Sequence, residues 1–208
     1  MDASKILLRS EIVTVLGHLK RQKRWRSVTM IQNLVIFRLS CCCGLRVKEI
    51  CGLNLGDFVV DGPRPVIRIR KAITKGRPEK RRARLVPLWW DAGTREDIAD
   101  WLRLRASQGA SSDSPFVCSQ KLQSHQRLKV KAAQKRWETA LRVLGAERVK
   151  QLSIHCGRHS FCSHALRAGR TLAEVRDAAG HANIATTSIY LHVLGDEHCP
   201  DVFSMEDE

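Results

Sequence analysis

Arg46, Arg158 and Tyr190 of this 208-residue chain carry side chains suited to chemistry on a phosphodiester. Attack on a phosphodiester builds negative charge on the non-bridging oxygens, and without a metal that charge needs fixed cations, best supplied as guanidinium forks. Arg46 and Arg158 are the natural holders. Tyr190 is the only tyrosine in the chain. A phenol of ordinary pKa, about 10, is a poor nucleophile at neutral pH unless cations and a proton acceptor flank it. Each residue has a plainer reading when taken alone. An arginine after Gly-Leu is usually a solvated helix start, and a lone tyrosine is usually a half-buried packing residue. The ordered set argues otherwise.

The cluster His155, Cys156, His159, Cys162 and His164 invites a zinc reading, since imidazole and thiolate are preferred ligands. A closed zinc site gathers its ligands from two separated segments. These five fall on one predicted helix and point to different faces, so no metal and no cofactor is expected. The eight cysteines, three of them adjacent at Cys41 to Cys43, read as reduced thiols packing like small hydrophobes rather than as a disulfide framework.

The elements that must position these groups follow from periodicity. Ile6, Leu7, Ile12, Leu16 and Leu19 fit one face of a first helix, and Met30 to Cys43 a largely buried second one ending at Gly44. Arg46 stands where the second helix meets a third that carries Val47, Ile50 and Leu53 inward. From Val66 the period becomes two, then a basic turn in TKGRPEKRR leads to a second strand, ARLVPL. That is a hairpin crowded with cations: Arg68, Arg70, Arg77, Lys80, Arg81 and Arg82 are candidate contacts to a nucleic-acid backbone. Thr94 with Asp97 predicts a capped helix start, residues 128–144 a further helix, and Trp89 and Trp90 pack between strand and helix. Three short helices follow. The first runs from Ser153 to Gly169, the second is capped by Thr171 with Glu174 and closes near Gly180, and the third runs through Thr187 and Tyr190. The reading is an α+β, mainly α, single domain over 1–208 with a small antiparallel sheet.

The formal charge of +15 and a sequence pI near 10.0 far exceed what solubility needs, and attract polyanions. Nucleic acid is the expected partner class. A small-molecule substrate is not expected. No run approaches the roughly 20 apolar residues of a spanning helix, and the N-terminus lacks a signal-peptide pattern. The expected location is the cytoplasm, with the nucleoid.

Three segments carry a resemblance to a known family. CGLRVKEICGLNLGDF resembles the first box of the tyrosine recombinases (phage integrases), a Gly-Leu-Arg followed three residues later by an acid, here Arg46 and Glu49. IHCGRHSFCSHALRAG resembles the second, His-x-x-Arg-His, here His155, Arg158 and His159. AGHANIATTSIYLH resembles the third, a Gly-His followed by the tyrosine, here His181 and Tyr190. Each box alone is weak evidence, but the order holds from residue 44 to 192.

The resemblance implies the helical tyrosine-recombinase catalytic fold and a metal-independent, site-specific cutting and rejoining of double-stranded DNA. Tyr190 would attack phosphorus to give a 3′-phosphotyrosine, conserving bond energy for religation. His155 would accept its proton, Lys75 (or Lys80, on this long hairpin) would protonate the leaving 5′-oxygen, and His181 would donate to the phosphate. Glu49 and His159 would support. The family's cycle implies a homotetramer on DNA that exchanges C-terminal tails, with Val202, Phe203 and Met205 as anchors. Two departures stand out: Gly157 and Ala179 occupy positions where a leucine is usual. The separate N-terminal DNA-clamp domain of most relatives is also not expected in this stretch. A type IB topoisomerase, which resembles the family in fold and residue set, and an idle DNA-binding protein of the same fold are the competing readings.

Overall fold

The computed structural model describes residues 2–23, 28–76, 79, 81–119 and 126–191. Arg77, Lys80 and the tail anchors Val202, Phe203 and Met205 lie outside the described residues. Nine α-helices and a three-stranded sheet are seen among them.

Helix α2 (Val28–Cys41) is the axis of the core. Every residue from Gln32 to Cys41 is buried, the polar Gln32, Asn33, Arg38 and Ser40 included, and α1 (Arg9–Lys23), α4 (Ala92–Ser107), α5 (Val130–Leu141) and α7 (Ile154–Arg167) pack around it. Its one buried cation is neutralised: Arg38 donates from Nε to Asp97 and from Nη1 to Asp91, each at 2.9 Å. This pairing also corrects the expected start of α4. The N-cap is Asp91, whose carboxylate accepts from the Gly93 N–H, and Thr94 and Asp97 are buried inside the helix instead. Asp91 wins because it caps the helix and meets Arg38 at once.

Strands β1 (Phe58–Val59), β2 (Val66–Ile69) and β3 (Arg84–Pro87) form an antiparallel sheet in that order, with Ile67 opposite Val86 and Ile69 opposite Arg84. Ile67 and Ile69 face inward and Arg68 outward, as period two demands. The remaining helices are α3 (Val47–Gly52), α6 (Ala146–Gln151), α8 (Leu172–Ala179) and α9 (Ala185–Ser188). The C-terminal region therefore holds four helices where three were expected. The last is only one turn long, and Tyr190 follows it rather than lying within it. Of the paired tryptophans, Trp90 stacks on Phe161 at 6.0 Å, while Trp89 is 46% exposed. Seven free cysteines are described, all buried except the half-buried Cys42.

The Gly157 departure has a packing cause. A Cβ at Gly157 would collide with the Ser40 hydroxyl and stand 2.7 Å from the Trp137 ring. Trp137, fully buried and stacked on Phe37, fills from α5 the space that a larger residue on α7 would take.

Candidate active site

Four structural segments bring the chemistry together: the N-terminus of α3, the β2–β3 hairpin, the first turns of α7, and the stretch from the turn after α8 through α9 to Tyr190. The first is fixed by a capping box. The Arg46 N–H donates to Glu49 Oε2 at 2.9 Å, and Arg46 Nη1 donates to Glu49 Oε1 at 3.2 Å. Glu49 is buried, and its oxygens also receive both terminal nitrogens of Arg84, each at 2.9 Å. Burial pushes this carboxyl up, but the Arg84 hydrogen bonds and the charges of Arg84 and Arg46 outweigh it and hold the pKa below its ordinary value. Glu49 is therefore an anion clamping two guanidinium groups.

Arg84 is the residue that sequence reasoning missed. A signal was present, because period two puts it on the same strand face as the buried Val86, and a cation facing a core needs a partner. Its Nε donates to the Ala178 carbonyl at 2.9 Å, so it staples the end of α8 to Glu49. The close approach explains Gly180. That residue is left-handed at φ 70°, a Cβ there would stand 2.8 Å from the Arg84 guanidinium carbon, and its carbonyl accepts from Arg46 Nη2 at 3.1 Å. Only glycine fits.

Arg158 is buried on α7, 3% exposed. One of its terminal nitrogens donates to the Gly44 carbonyl at 2.8 Å; the other, Nη2, is buried without a hydrogen-bond partner among the described residues. Burial, then the nearby Arg46, bring its pKa down to about 10. Gly44 is left-handed at φ 66°, with the Phe161 ring where a Cβ would go, so the carbonyl that anchors Arg158 is set by a glycine turn.

A cavity of about 680 Å³ opens beside these groups, lined by Arg46, Lys75, Arg81 and His155 among others. The pKa of His155 is lowered by burial, then by Arg158, Arg46 and Lys75. Four sequence candidates thus share one electrostatic neighbourhood. His181 belongs to it too: burial, then Arg158 and Arg46, push it down to about 4, and its Nδ1 lies 2.9 Å from the Thr187 hydroxyl.

Tyr190 is 4% exposed, with its ring parallel to that of His181 at 6.3 Å. Its hydroxyl is not beside His155. It lies 2.6 Å from Nδ1 of His159, one helical turn further along α7. Both histidines share a face at spacing i, i+4, and the way α9 returns the chain decides which one the phenol reaches. Burial, then Cys162, push the tyrosine pKa up to about 12, while burial, then His155 and Arg158, push His159 down to about 4.

The basic hairpin divides. Arg68 and Arg82 are exposed, and Arg81 donates to the Gly76 carbonyl at 2.9 Å. Arg70 departs from the expected cationic face. The strand ends at Ile69, so Arg70 instead swings to the buried Asp57 at 2.8 Å and to the Gly52 carbonyl at 2.8 Å. Among the described residues no group of three or more His, Cys, Asp or Glu side chains is placed to hold a metal ion, and burial raises the Cys162 thiol to about 12. No helix among them is long and apolar enough to cross a membrane.

Comparison with known proteins agrees with the three boxes. Tyrosine recombinase XerC of Pseudomonas fluorescens (strain Pf0-1) is 36% identical over 164 residues, covering 78% of this chain and 48% of its own length. XerC of Haemophilus influenzae (strain PittEE) is 33% identical over 173 residues, covering 83% of this chain and 52% of its own. The chain thus spans about half the length of these relatives. The fold matches the crystal structure of the XerA recombinase (TM-score 0.71, 21% identity, 92% of this chain and 59% of that one). It also matches the XerH site-specific recombinase bound to palindromic difH substrate (TM-score 0.69, 24% identity, 90% and 49%). Residues 5–197 match the model of the phage integrase family, and with arginines, histidines and a tyrosine gathered in the order of its boxes, this chain belongs to that family.

Proposed function

We propose that this chain is the catalytic part of a site-specific DNA recombinase that cuts and rejoins strands through Tyr190, without a metal. The observation that carries the reading is Arg158, a buried cation whose Nη2 has no partner among the described residues. A buried guanidinium donor without an acceptor is costly unless a ligand supplies one. With Arg46, His155 and Lys75 nearby, the ligand that fits is a phosphate diester.

The residue roles are those that the family resemblance implies. Arg46 and Arg158 hold the non-bridging oxygens as charge grows on them. Tyr190 forms the new bond to phosphorus as the bond to the 5′-oxygen breaks, and Lys75, exposed on the hairpin, protonates that oxygen. His181 donates to the phosphate, and Glu49 aims Arg46. His155, in the cavity with Arg46 and Lys75, is the expected acceptor of the phenol proton on the reactive path. Arg68, Arg81 and Arg82, with Arg77 and Lys80 of the same hairpin, supply backbone charge to duplex DNA, and binding should weaken steeply with salt.

Tetramer assembly by tail exchange is part of the proposal. A groove of about 800 Å³ lined by Leu8, Ile12, Trp90, Phe161, Arg167 and Arg170 suits an apolar and acidic segment. Residues 192–208 carry six acids with Val202, Phe203 and Met205, and no lysine or arginine. A recombinase needs such exchange, whereas a type IB topoisomerase acts alone.

Covalent trapping tests the core of the reading. Wild-type and Y190F proteins are incubated in EDTA with nicked suicide duplexes drawn from the flanking DNA of the gene. A denaturant-resistant protein–DNA band from wild type only is expected. Its persistence in Y190F, or a strict metal requirement, would reject the mechanism.

A further inference from the structure

We propose that His159, the second histidine of His-x-x-Arg-His, positions the nucleophile by accepting the Tyr190 hydroxyl at Nδ1. The inference rests on Tyr190 being the nucleophile and goes beyond that reading by assigning the group that sets the aim of its oxygen.

The geometry carries it. The 2.6 Å contact joins the third box to the second, and the two rings lie 5.7 Å apart at 35°, so the bond is made edge to edge rather than by stacking. His181 stacks parallel on the phenol at 8° and fixes the ring plane, but a ring plane alone leaves the O–H free to rotate. His159 removes that freedom. With the proton on Nε2, the neutral imidazole offers Nδ1 only as an acceptor, so the phenol donates and its oxygen lone pairs are left free to meet phosphorus.

The same surroundings argue against His159 as the resting place of the proton. Arg158 is the preceding residue on α7, and His155 stands 5.6 Å away in an edge-on contact; an imidazolium between them would be opposed by both. The depressed basicity of His159, about 4, agrees. It is a positioning residue that holds the hydroxyl before reaction, and the proton passes to His155, whose ring lies 5.6 Å from that of His159, as the phenol turns to attack. Arg158 and His159 are adjacent in sequence, so one turn of α7 holds the phosphate's cation and the nucleophile's guide together, and their relative position is fixed by helix geometry rather than by a loop.

A histidine that merely satisfied a buried hydroxyl would affect stability and leave the chemical step alone. The test therefore reads the rate of covalent adduct formation at saturating suicide duplex, beside DNA affinity and melting temperature, in three variants. H159N keeps an acceptor oxygen at the place of Nδ1, H159F keeps the ring and removes the acceptor, and H159Q moves the acceptor to the place of Nε2. Loss of aim should slow H159F and H159Q by roughly tenfold to a hundredfold with DNA affinity unchanged, and H159N should stay within a few-fold of wild type. If H159F does not fold, H159Q against H159N gives the same reading. Wild-type or faster rates in H159Q or H159F, or an H159N as slow as they are, would overturn the assignment. A Y190F protein run alongside separates the two failures: adducts persisting there sink the nucleophile, whereas unaltered His159 variants with a dead Y190F sink only the positioning role.

Discussion

Replacing Glu49 with glutamine removes one charge and almost no volume, and it should be among the most damaging single changes available. The carboxylate accepts four hydrogen bonds, with Arg46 Nη1 and Arg84 Nη1 on one oxygen and the Arg46 N–H and Arg84 Nη2 on the other. Whichever way the glutamine amide turns, its NH₂ meets two donors. Two bonds to a charged group are lost, about 1.5–3 kcal/mol each. Breaking a buried ion pair from one side costs about 3–5 kcal/mol. The Arg46 side chain is 22% exposed and can regain some water, so the expected loss lies in that second range. For a chain of this size 1 kcal/mol moves the melting temperature by roughly 2–4 °C, giving a fall of roughly 6–20 °C by calorimetry or circular dichroism. Glu49 has its pKa depressed in the fold, so its contribution is fully present above the ordinary 4.5 and is lost as pH falls through the lower folded value. E49Q should accordingly show a flatter acid limb. The double mutant E49Q/R84Q should cost less than the sum of the single changes. A fall of under about 3 °C, or strict additivity with R84Q, would refute the clamp.

Other outcomes follow from the same structure. His159 and His181 are each held near 4 against an ordinary 6.5, so the unfolded chain binds protons first. Stability should be full above about 6.5 and fall as pH drops toward 4, and a denaturation midpoint flat over that window would contradict their burial. G157L should cost about 1–3 kcal/mol by overpacking against Ser40 and Trp137, with part recovered in G157L/W137A; a midpoint raised by G157L alone would show the notch to be empty. G44A must adopt a left-handed turn and displace Phe161, moving the carbonyl that holds Arg158, so trapped adduct should fall more than DNA binding. Equal losses of both would point to general unfolding instead. Truncation before residue 199 should abolish strand exchange and spare single-strand cleavage in the trapping assay, whereas retained exchange would exclude the tail.

The sequence by itself determined what depends on neighbours along the chain. Thr171 with Glu174 caps α8 and Gly180 closes it in the left-handed form, because both signals act within one turn. The alternation around Ile67 and Ile69 marked β2, and the motif order named the chemistry, since a phosphoryl-transfer site needs particular side chains whatever holds them. Tertiary structure decided the pairings across distance. His155 and His159 are indistinguishable by periodicity, and only the path of the chain through α9 settles that Tyr190 meets the second. Thr94 looked like a cap until Arg38, from another helix, drew Asp91 into that place. Arg84 and Glu49 lie 35 residues apart and become partners because the fold sets β3 opposite the first turn of α3, which carries Glu49. Gly157, odd within its own motif, is explained by Trp137 from α5. Local rules fix backbone conformation over a few residues, whereas a buried charge or a notch in a helix is resolved only by whatever the fold places opposite it.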